Sequence, residues 1–321
     1  MKPTYSCIKF ILLIVIAILP NLRCRTTPFD TTPREAATEQ LGKRLFFDPR
    51  LSRGDRMSCA SCHQPARAFT NGERVATGVH GDKGERNVPT LVTRAGTRLQ
   101  FWDGRASSLE DQALAVITAH GEMDGDLQVA IAKLRDDGDY PTLFARAFGS
   151  HKIDAARISQ ALAAFERTLR PGLSPYDRYV AGDTQALSAA QIRGMNLFSK
   201  FQCIACHKGP NFTDETLRPR CYPATSNLNQ LVPIRIGQDK FVKTPTLRNL
   251  IYTAPYMHNG SLNHLEDVVD FYTPSFQAGD DLLPDTTKPV VVINKKDRSD
   301  LVAFLKSLSS SVPFEESYSN R

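Results

Sequence analysis

The sequence predicts a mainly α-helical chain built from two related halves, and three observations carry that prediction. Apolar residues recur at helical spacing along much of the chain, while no alternating strand series is evident. The string Gly42, Leu45, Phe46 returns with the same internal spacing as Gly194, Leu197, Phe198. A five-residue motif, Cys59-Ala60-Ser61-Cys62-His63, recurs as Cys203-Ile204-Ala205-Cys206-His207.

Taken in order, Thr32 is placed to cap a helix over about 33–46, with Ala36, Leu41, Leu45 and Phe46 apolar. Residues 47–107, rich in Gly, Arg and Asp, read as wrapping loops with short helices. Ser108, three residues before Asp111, opens a helix to about 119. Segments near 126–136, 140–148 and 154–169 are helical by period, the last with Ile158, Leu162, Phe165 and Leu169 as one stripe. Arg170-Pro171-Gly172 and Gly182-Asp183-Thr184 punctuate the junction, so the expected units are 30–182 and 183–312, with a tail at 313–321. Ser188 starts a helix to about 201. Residues 208–257, with six prolines, read as loop, and helices are expected at about 261–272 and 297–309.

Residues 1–25 read as an export signal or an N-terminal anchor, not as part of the fold. Lys2 and Lys9 flank an apolar run from Phe10 to Leu19, too short for a comfortable span of about 20 residues. Asn21, Leu22, Arg23 and Cys24 offer no small-residue cleavage site, so cleavage and retention both stay open. The segment carries four cations and no acid, and without it the formal charge falls from +6 to +2. That near-neutral surface, with no basic run, argues against a nucleic-acid partner. The predicted location is the periplasm.

Two C-x-x-C-H motifs account for four of the seven cysteines. Cys7 and Cys24 fall in the export segment and Cys221 stands alone, so no disulfide framework is indicated. Two thiols three positions apart can reach the two vinyl groups on one porphyrin edge and form thioethers. The next residue then lies under the iron, where imidazole is a good ligand. On composition, two chance copies are expected roughly once in 10^5 chains. Rival uses of these residues are a zinc site on Cys59, Cys62, Cys203 and Cys206, or a redox dithiol. The adjacent His63 and His207, with the export signal, favour two haem c groups.

Further strings stand in order along the chain: Arg86-Asn87-Val88-Pro89-Thr90, Phe101-Trp102-Asp103-Gly104-Arg105, Gly121-Glu122-Met123, Lys243-Thr244-Pro245-Thr246-Leu247-Arg248-Asn249 and Thr253-Ala254-Pro255-Tyr256-Met257-His258-Asn259-Gly260. With the two haem motifs, this order and spacing resembles the bacterial dihaem cytochrome c peroxidase family, MauG-type enzymes included, over about residues 34–309. The resemblance implies two cytochrome c-like domains, each with one covalently bound haem c, and a calcium ion between them. It makes the His63 haem the peroxide-reacting centre and the His207 haem the electron-entry centre. Dimers are frequent in the family, so a homodimer is compatible with it.

The resemblance also implies roles for single residues. Trp102 matches a tryptophan between the haems, and would equally serve as core packing. Glu122 matches the acid of the peroxide pocket, where a carboxylate can move a proton between the peroxide oxygens. His80 matches, one position out of register, a histidine that ligates the first iron in resting members; its other reading is an exposed loop residue. Asn87, Thr253 and Pro255 match the calcium site, with hard oxygen ligands. His258 falls near the second haem. Arg105 and Arg248 are candidates for haem propionates or for anchoring their own loops. His120, His151 and His264 read as structural or surface residues.

One departure is informative. Seventeen residues after Pro255, where the peroxidases carry a methionine ligand to the second iron, this chain has Tyr272, as MauG-type members do. A phenolate favours Fe(III) and lowers the potential, whereas a thioether raises it. Met195, Met257 and simple burial of a helical tyrosine remain alternatives. The expected function is peroxide reduction to water with electrons from a small redox protein, a cytochrome c or a cupredoxin. Two other readings are an oxidase that modifies a partner protein, which Tyr272 favours, and a dihaem electron carrier.

Overall fold

The computed structural model describes residues 31–219, 221–223, 231–233, 241–275 and 293–310. The expected export segment and the 313–321 tail lie outside them. Ten helices are described: α1 (Pro33–Phe47), α2 (Cys59–Cys62), α3 (Leu109–Thr118), α4 (Leu127–Arg135), α5 (Tyr140–Phe148), α6 (Ala155–Thr168), α7 (Pro175–Val180), α8 (Ala189–Lys200), α9 (Leu265–Ser275) and α10 (Lys295–Ser307). Four strands of three residues each, β1 (Leu217–Pro219), β2 (Cys221–Pro223), β3 (Leu231–Pro233) and β4 (Phe241–Lys243), form two antiparallel pairs. Leu217 faces Lys243 in one and Cys221 faces Pro233 in the other.

The helix starts follow local chemistry. Thr32 and Glu35 close a capping box on α1, with Pro33 in the first turn where its missing N–H costs nothing. Ser188 and Gln191 do the same for α8. α10 begins two residues before the sequence-based expectation because Asn294 accepts from the Asp297 N–H at 2.9 Å. α9 begins later than expected because Leu262 is held in a bridge to Tyr256. α7 was not anticipated; Ser174 and Asp177 box its start. It packs with the second core, Tyr176 meeting Phe212 and Phe304 at ring distances of 5.2 and 5.8 Å.

The short sequence repeat is the same helix crossing built twice. In the first half α1 crosses α6 so closely that a Cβ on Gly42 would lie 1.8 Å from the Ala161 carbonyl oxygen. In the second half α8 crosses α10, and a Cβ on Gly194 would lie 1.9 Å from the Asp300 carbonyl oxygen. Beside each glycine the phenylalanine of the repeat packs on a partner ring, Phe46 on Phe165 at 5.1 Å and Phe198 on Phe304 at 5.3 Å. One core gathers around Leu41, Phe46, Phe144 and Leu162, and the other around Phe198, Phe212, Leu301 and Phe304.

A second repeat is clearest in the backbone. Pro89-Thr90-Leu91 and Pro245-Thr246-Leu247 open matching loops. Thr90 and Thr246 each donate to a carbonyl across the motif, of Ala68 and Asn211, and accept an N–H two residues on. Thr93 and Asn249, Phe101 and Met257, Gly104 and Gly260 all take positive φ at corresponding places. The bridges Gln100–Ala106 and Tyr256–Leu262 correspond, and α3 and α9 follow them. Each loop lies on the other half. Lys243 N–H donates to the Trp102 carbonyl at 2.6 Å, and Asn87 N–H donates to the His258 carbonyl at 2.9 Å. Trp102 and His258 occupy equivalent positions in the two loops and meet edge to face, 6.3 Å between rings.

Candidate active site

Each C-x-x-C-H motif forms one helical turn that folds its histidine back under the pair of thiols. The His63 N–H bonds the Cys59 carbonyl at 2.9 Å, and the His207 N–H bonds the Cys203 carbonyl at 3.0 Å. The imidazoles are then oriented the same way. His63 Nδ1 lies 2.9 Å from the Phe69 carbonyl oxygen, and His207 Nδ1 lies 3.1 Å from that of Phe212. A carbonyl only accepts, so Nδ1 carries the proton and Nε2 offers its lone pair. Phe69 and Phe212 both adopt left-handed backbone, φ 58° and 50°, which turns those carbonyls inward. Burial pushes His63 down to about 4 and lowers His207 as well, so both imidazoles are neutral and suited to iron.

The thiols fit a thioether-linked haem better than the rival uses. Burial raises Cys59 to about 12 and Cys62 and Cys203 to about 11, the reverse of what a redox dithiol needs. Among the described residues the four motif cysteines form no cluster of three or more metal-ligand groups, so a shared zinc site is not assembled. None of the four is in a disulfide. Cys62, Met57, Gln64, Gly78 and Val79 line a cleft of about 300 Å³ at the first motif.

Glu122 lies behind the Gly78-Val79 wall of this cleft. Its backbone carbonyl accepts the Val79 N–H at 2.8 Å, and the Gly121 carbonyl lies where a Cβ on Gly78 would be, at 2.3 Å. Its side chain is 38% exposed, and Arg105 Nη2 is 3.8 Å from Oε1. Burial raises the carboxyl above its usual range against the pull of Arg105. Arg105 also pairs with Asp103 at 2.9 Å and lies over the Phe101 ring at 3.4 Å.

His80 points at Asp124, with Nε2 2.8 Å from Oδ2. Arg248 is occupied by the protein. It donates to both Asp177 oxygens at 2.8 Å, to Ser174 Oγ at 3.1 Å and to the Pro210 carbonyl at 2.7 Å, leaving one N–H for any other acceptor. Trp102 Nε1 donates to the Asn87 carbonyl at 2.8 Å. Asn87 is buried, and its Nδ2 donates to the Glu73 carbonyl at 2.9 Å, so Oδ1 is the atom it could offer a cation. Thr253 and Pro255 follow in the loop whose His258 carbonyl holds the Asn87 N–H, with a cis Ala254–Pro255 bond between them.

Three charged residues at the site escaped the sequence reading. Arg94 and Lys243 are buried at 8% and 4% exposure, and neither has a carboxylate at ion-pairing distance among the described residues. Arg94 is close enough for its charge to depress both His63 and Lys243, and Lys243 is driven down to about 7, mostly by burial. Arg218 clasps Asp214 at 2.7 Å, and its charge is felt at Cys206 and at Tyr272, which is 39% exposed. Only Lys243 lay in a noted string; a buried cation leaves no periodic signature.

The pattern of the di-haem cytochrome c peroxidase family matches residues 36–185. The methylamine utilization protein MauG of Methylophilus methylotrophus is 39% identical over 274 residues, 84% of this chain and 81% of that one. The cytochrome c551 peroxidase of Nitrosomonas europaea is 33% identical over 88% of this chain and 83% of its own length. This chain belongs to the di-haem cytochrome c peroxidase family. The fold agrees with membership: the crystal structure of a MauG-like protein associated with microbial copper homeostasis superposes with a TM-score of 0.75. That protein is 30% identical, over 92% of this chain and 95% of its own. For a di-haem family, the duplicated crossing, the two half-buried imidazoles and the two thiol pairs are what two haems require of the chain.

Proposed function

We propose that the chain is an exported peroxidase that reduces hydrogen peroxide to two waters, taking two electrons from a small redox protein and two protons from solvent. The observation that carries this reading is the duplicated imidazole geometry, with Glu122, a carboxylate of raised basicity, on the side of the first copy. Cys59 and Cys62 would hold one haem c through thioethers with His63 as ligand, and Cys203, Cys206 and His207 the other. The bound irons supply the electron transfer. Glu122 accepts a proton from one peroxide oxygen and returns it to the other, and Arg105 keeps part of its population ionised. Arg94 and Lys243, buried with no carboxylate at ion-pairing distance among the described residues, suit haem propionates. Trp102, wedged at the joint with His258, suits passage of electrons between the halves. Asn87, Thr253 and Pro255 suit one calcium ion there.

Tyr272 favours a second reading. It feels the charge of Arg218, as Cys206 of the second motif does, and relatives 39% and 40% identical are named MauG. Ligation of the second iron by this tyrosine would disfavour electron entry from a high-potential donor, and the physiological reductant would then be a side chain of a partner protein.

The test is an optical and EPR titration of purified holoprotein with peroxide, in the oxidised and half-reduced states. Two thioether-bound haems and a peroxide-dependent spectral change are expected, with turnover of a reduced cytochrome c. Haems that stay six-coordinate and ignore peroxide would leave an electron carrier. Turnover absent with every small donor, with Tyr272→Met restoring it, would select the second reading.

A further inference from the structure

Around the turn that carries Glu122, three ligand-bearing side chains converge that the peroxidase reading leaves without a joint role. His80 Nε2 is 2.8 Å from Asp124 Oδ2, His120 Nδ1 is 3.4 Å from Asp124 Oδ1, and the two imidazole rings are 5.0 Å apart. One ligand atom from each residue lies within 4.8 Å of the others. We propose that His80, His120 and Asp124 bind one divalent transition-metal ion.

Geometry and chemistry support the assignment together. Metal–ligand bonds of about 2.0–2.2 Å around a tetrahedral ion place the ligand atoms roughly 3.3 Å from one another. The observed separations bracket that figure, so rotations of three side chains suffice. Two imidazoles and one carboxylate form a borderline set, suited to zinc, copper(II) or nickel and poor for calcium or magnesium. Three protein ligands leave at least one position for water.

The backbone beneath the site is fixed from both sides. Asp124 is held at φ 45° by its N–H bond to the Ala119 carbonyl at 2.9 Å. Gly125 follows where a Cβ would strike the Leu51 carbonyl oxygen at 2.1 Å. The His80 loop is tied to the same turn by the Val79 N–H on the Glu122 carbonyl. The carboxylate is already ionised and turned toward the imidazoles, its acidity increased first by His80 and then by Arg53. Arg53, whose side chain is 57% exposed, donates to Oδ2 and is the cation a metal must displace.

The consequence for activity rests on the peroxidase reading: an ion here would tether His80 away from the first iron. The binding claim is tested without peroxide. Holoprotein is titrated with Zn²⁺ alone by calorimetry, zinc being inert toward peroxide and redox. One saturable equivalent is expected, weakened about 10-fold or more in His80→Ala and in His120→Ala. Arg53→Ala should bind more tightly, because the competing cation is gone. His151→Ala, a solvent-exposed histidine elsewhere, should bind as the parent does. The zinc absorption edge should report two imidazoles and one carboxylate. His80 and His120 are exposed, and unchanged thermal unfolding checks that their variants fold. An all-oxygen zinc shell, or equal affinity in His120→Ala and the parent, would overturn the assignment whatever the peroxidase assay gives.

Discussion

Glu122 sits where two influences oppose each other. Burial raises its proton affinity and Arg105 at 3.8 Å lowers it, with burial the larger. A base must be ionised to work, so turnover should fall as pH drops through that raised value, at a higher pH than an ordinary glutamate would set. Glu122→Gln should lower peroxide turnover by about 10²–10⁴ while both haem spectra persist, as steady-state kinetics and optical spectra would show. Arg105→Ala should move the acid limb of the pH profile upward; an unmoved limb would assign that limb to another group. Glu166 is the opposite case, a carboxyl with no task on the pocket side. It is 5% exposed, its Oε2 has no hydrogen-bond partner, and burial raises it to about 8. The folded state then holds one more proton than the unfolded chain between about pH 4.5 and 8. Its stability contribution is full below that window and declines as pH rises through it, by a few kcal/mol (about 1.4 per unit). Glu166→Gln should flatten this slope, and denaturant unfolding at pH 5 and pH 8 would measure it.

The helices were legible because their starts are written in short-range chemistry. Thr32, Ser108 and Ser188 each accept an N–H three residues on, and α1, α3 and α8 begin beside them. The same signal stands at Ser174, but α7 has six residues, too few for a hydrophobic period to emerge. Three-residue strands such as β1 and β4 escape alternation for the same reason. Of the site, the motif cysteines and histidines were legible because covalent attachment demands a spacing. Arg94 and the His80–His120–Asp124 convergence were not, because they depend on how distant loops meet. The glycines show how much one position can fix. Gly42 and Gly194 let α1 and α8 approach the carbonyls of α6 and α10 where any Cβ would overlap them. Gly194→Ala should cost about 1–3 kcal/mol, by forcing α8 off α10. Differential scanning calorimetry should show the loss as a lower midpoint of the parent's single unfolding transition, and Gly42→Ala a matching loss.

At the scale of the molecule, each half is completed by a loop of the other. The residues around Trp102 cover β4 of the second half, through the Trp102 carbonyl and Lys243, and Gly104 packs on Leu217 of β1. The residues around His258 cover the Asn87 and Arg74 segments of the first half. The second repeat is faint in sequence, with Pro-Thr-Leu, one threonine, one glycine and Leu-Glu-Asp recurring in otherwise different segments, while the signs of φ at three corresponding positions persist. Reciprocal cover makes the joint a single cooperative element, and Gly260 is its tightest point. It adopts φ 60°, and a Cβ there would lie 2.2 Å from the Arg74 carbonyl oxygen. Gly260→Ala therefore faces a left-handed backbone and a backbone clash at once, and neither is relieved unless the 253–260 loop lifts off the first half. No buried member of either core lies in the 253–260 loop, so each half should keep its own haem and its own spectrum. Calorimetry should then resolve two unfolding transitions where the parent shows one, and electrons given to the second haem should reach the first more slowly in stopped-flow reduction. A single transition with unchanged inter-haem transfer would mean that the halves are held together by their cores and not by the exchanged loops.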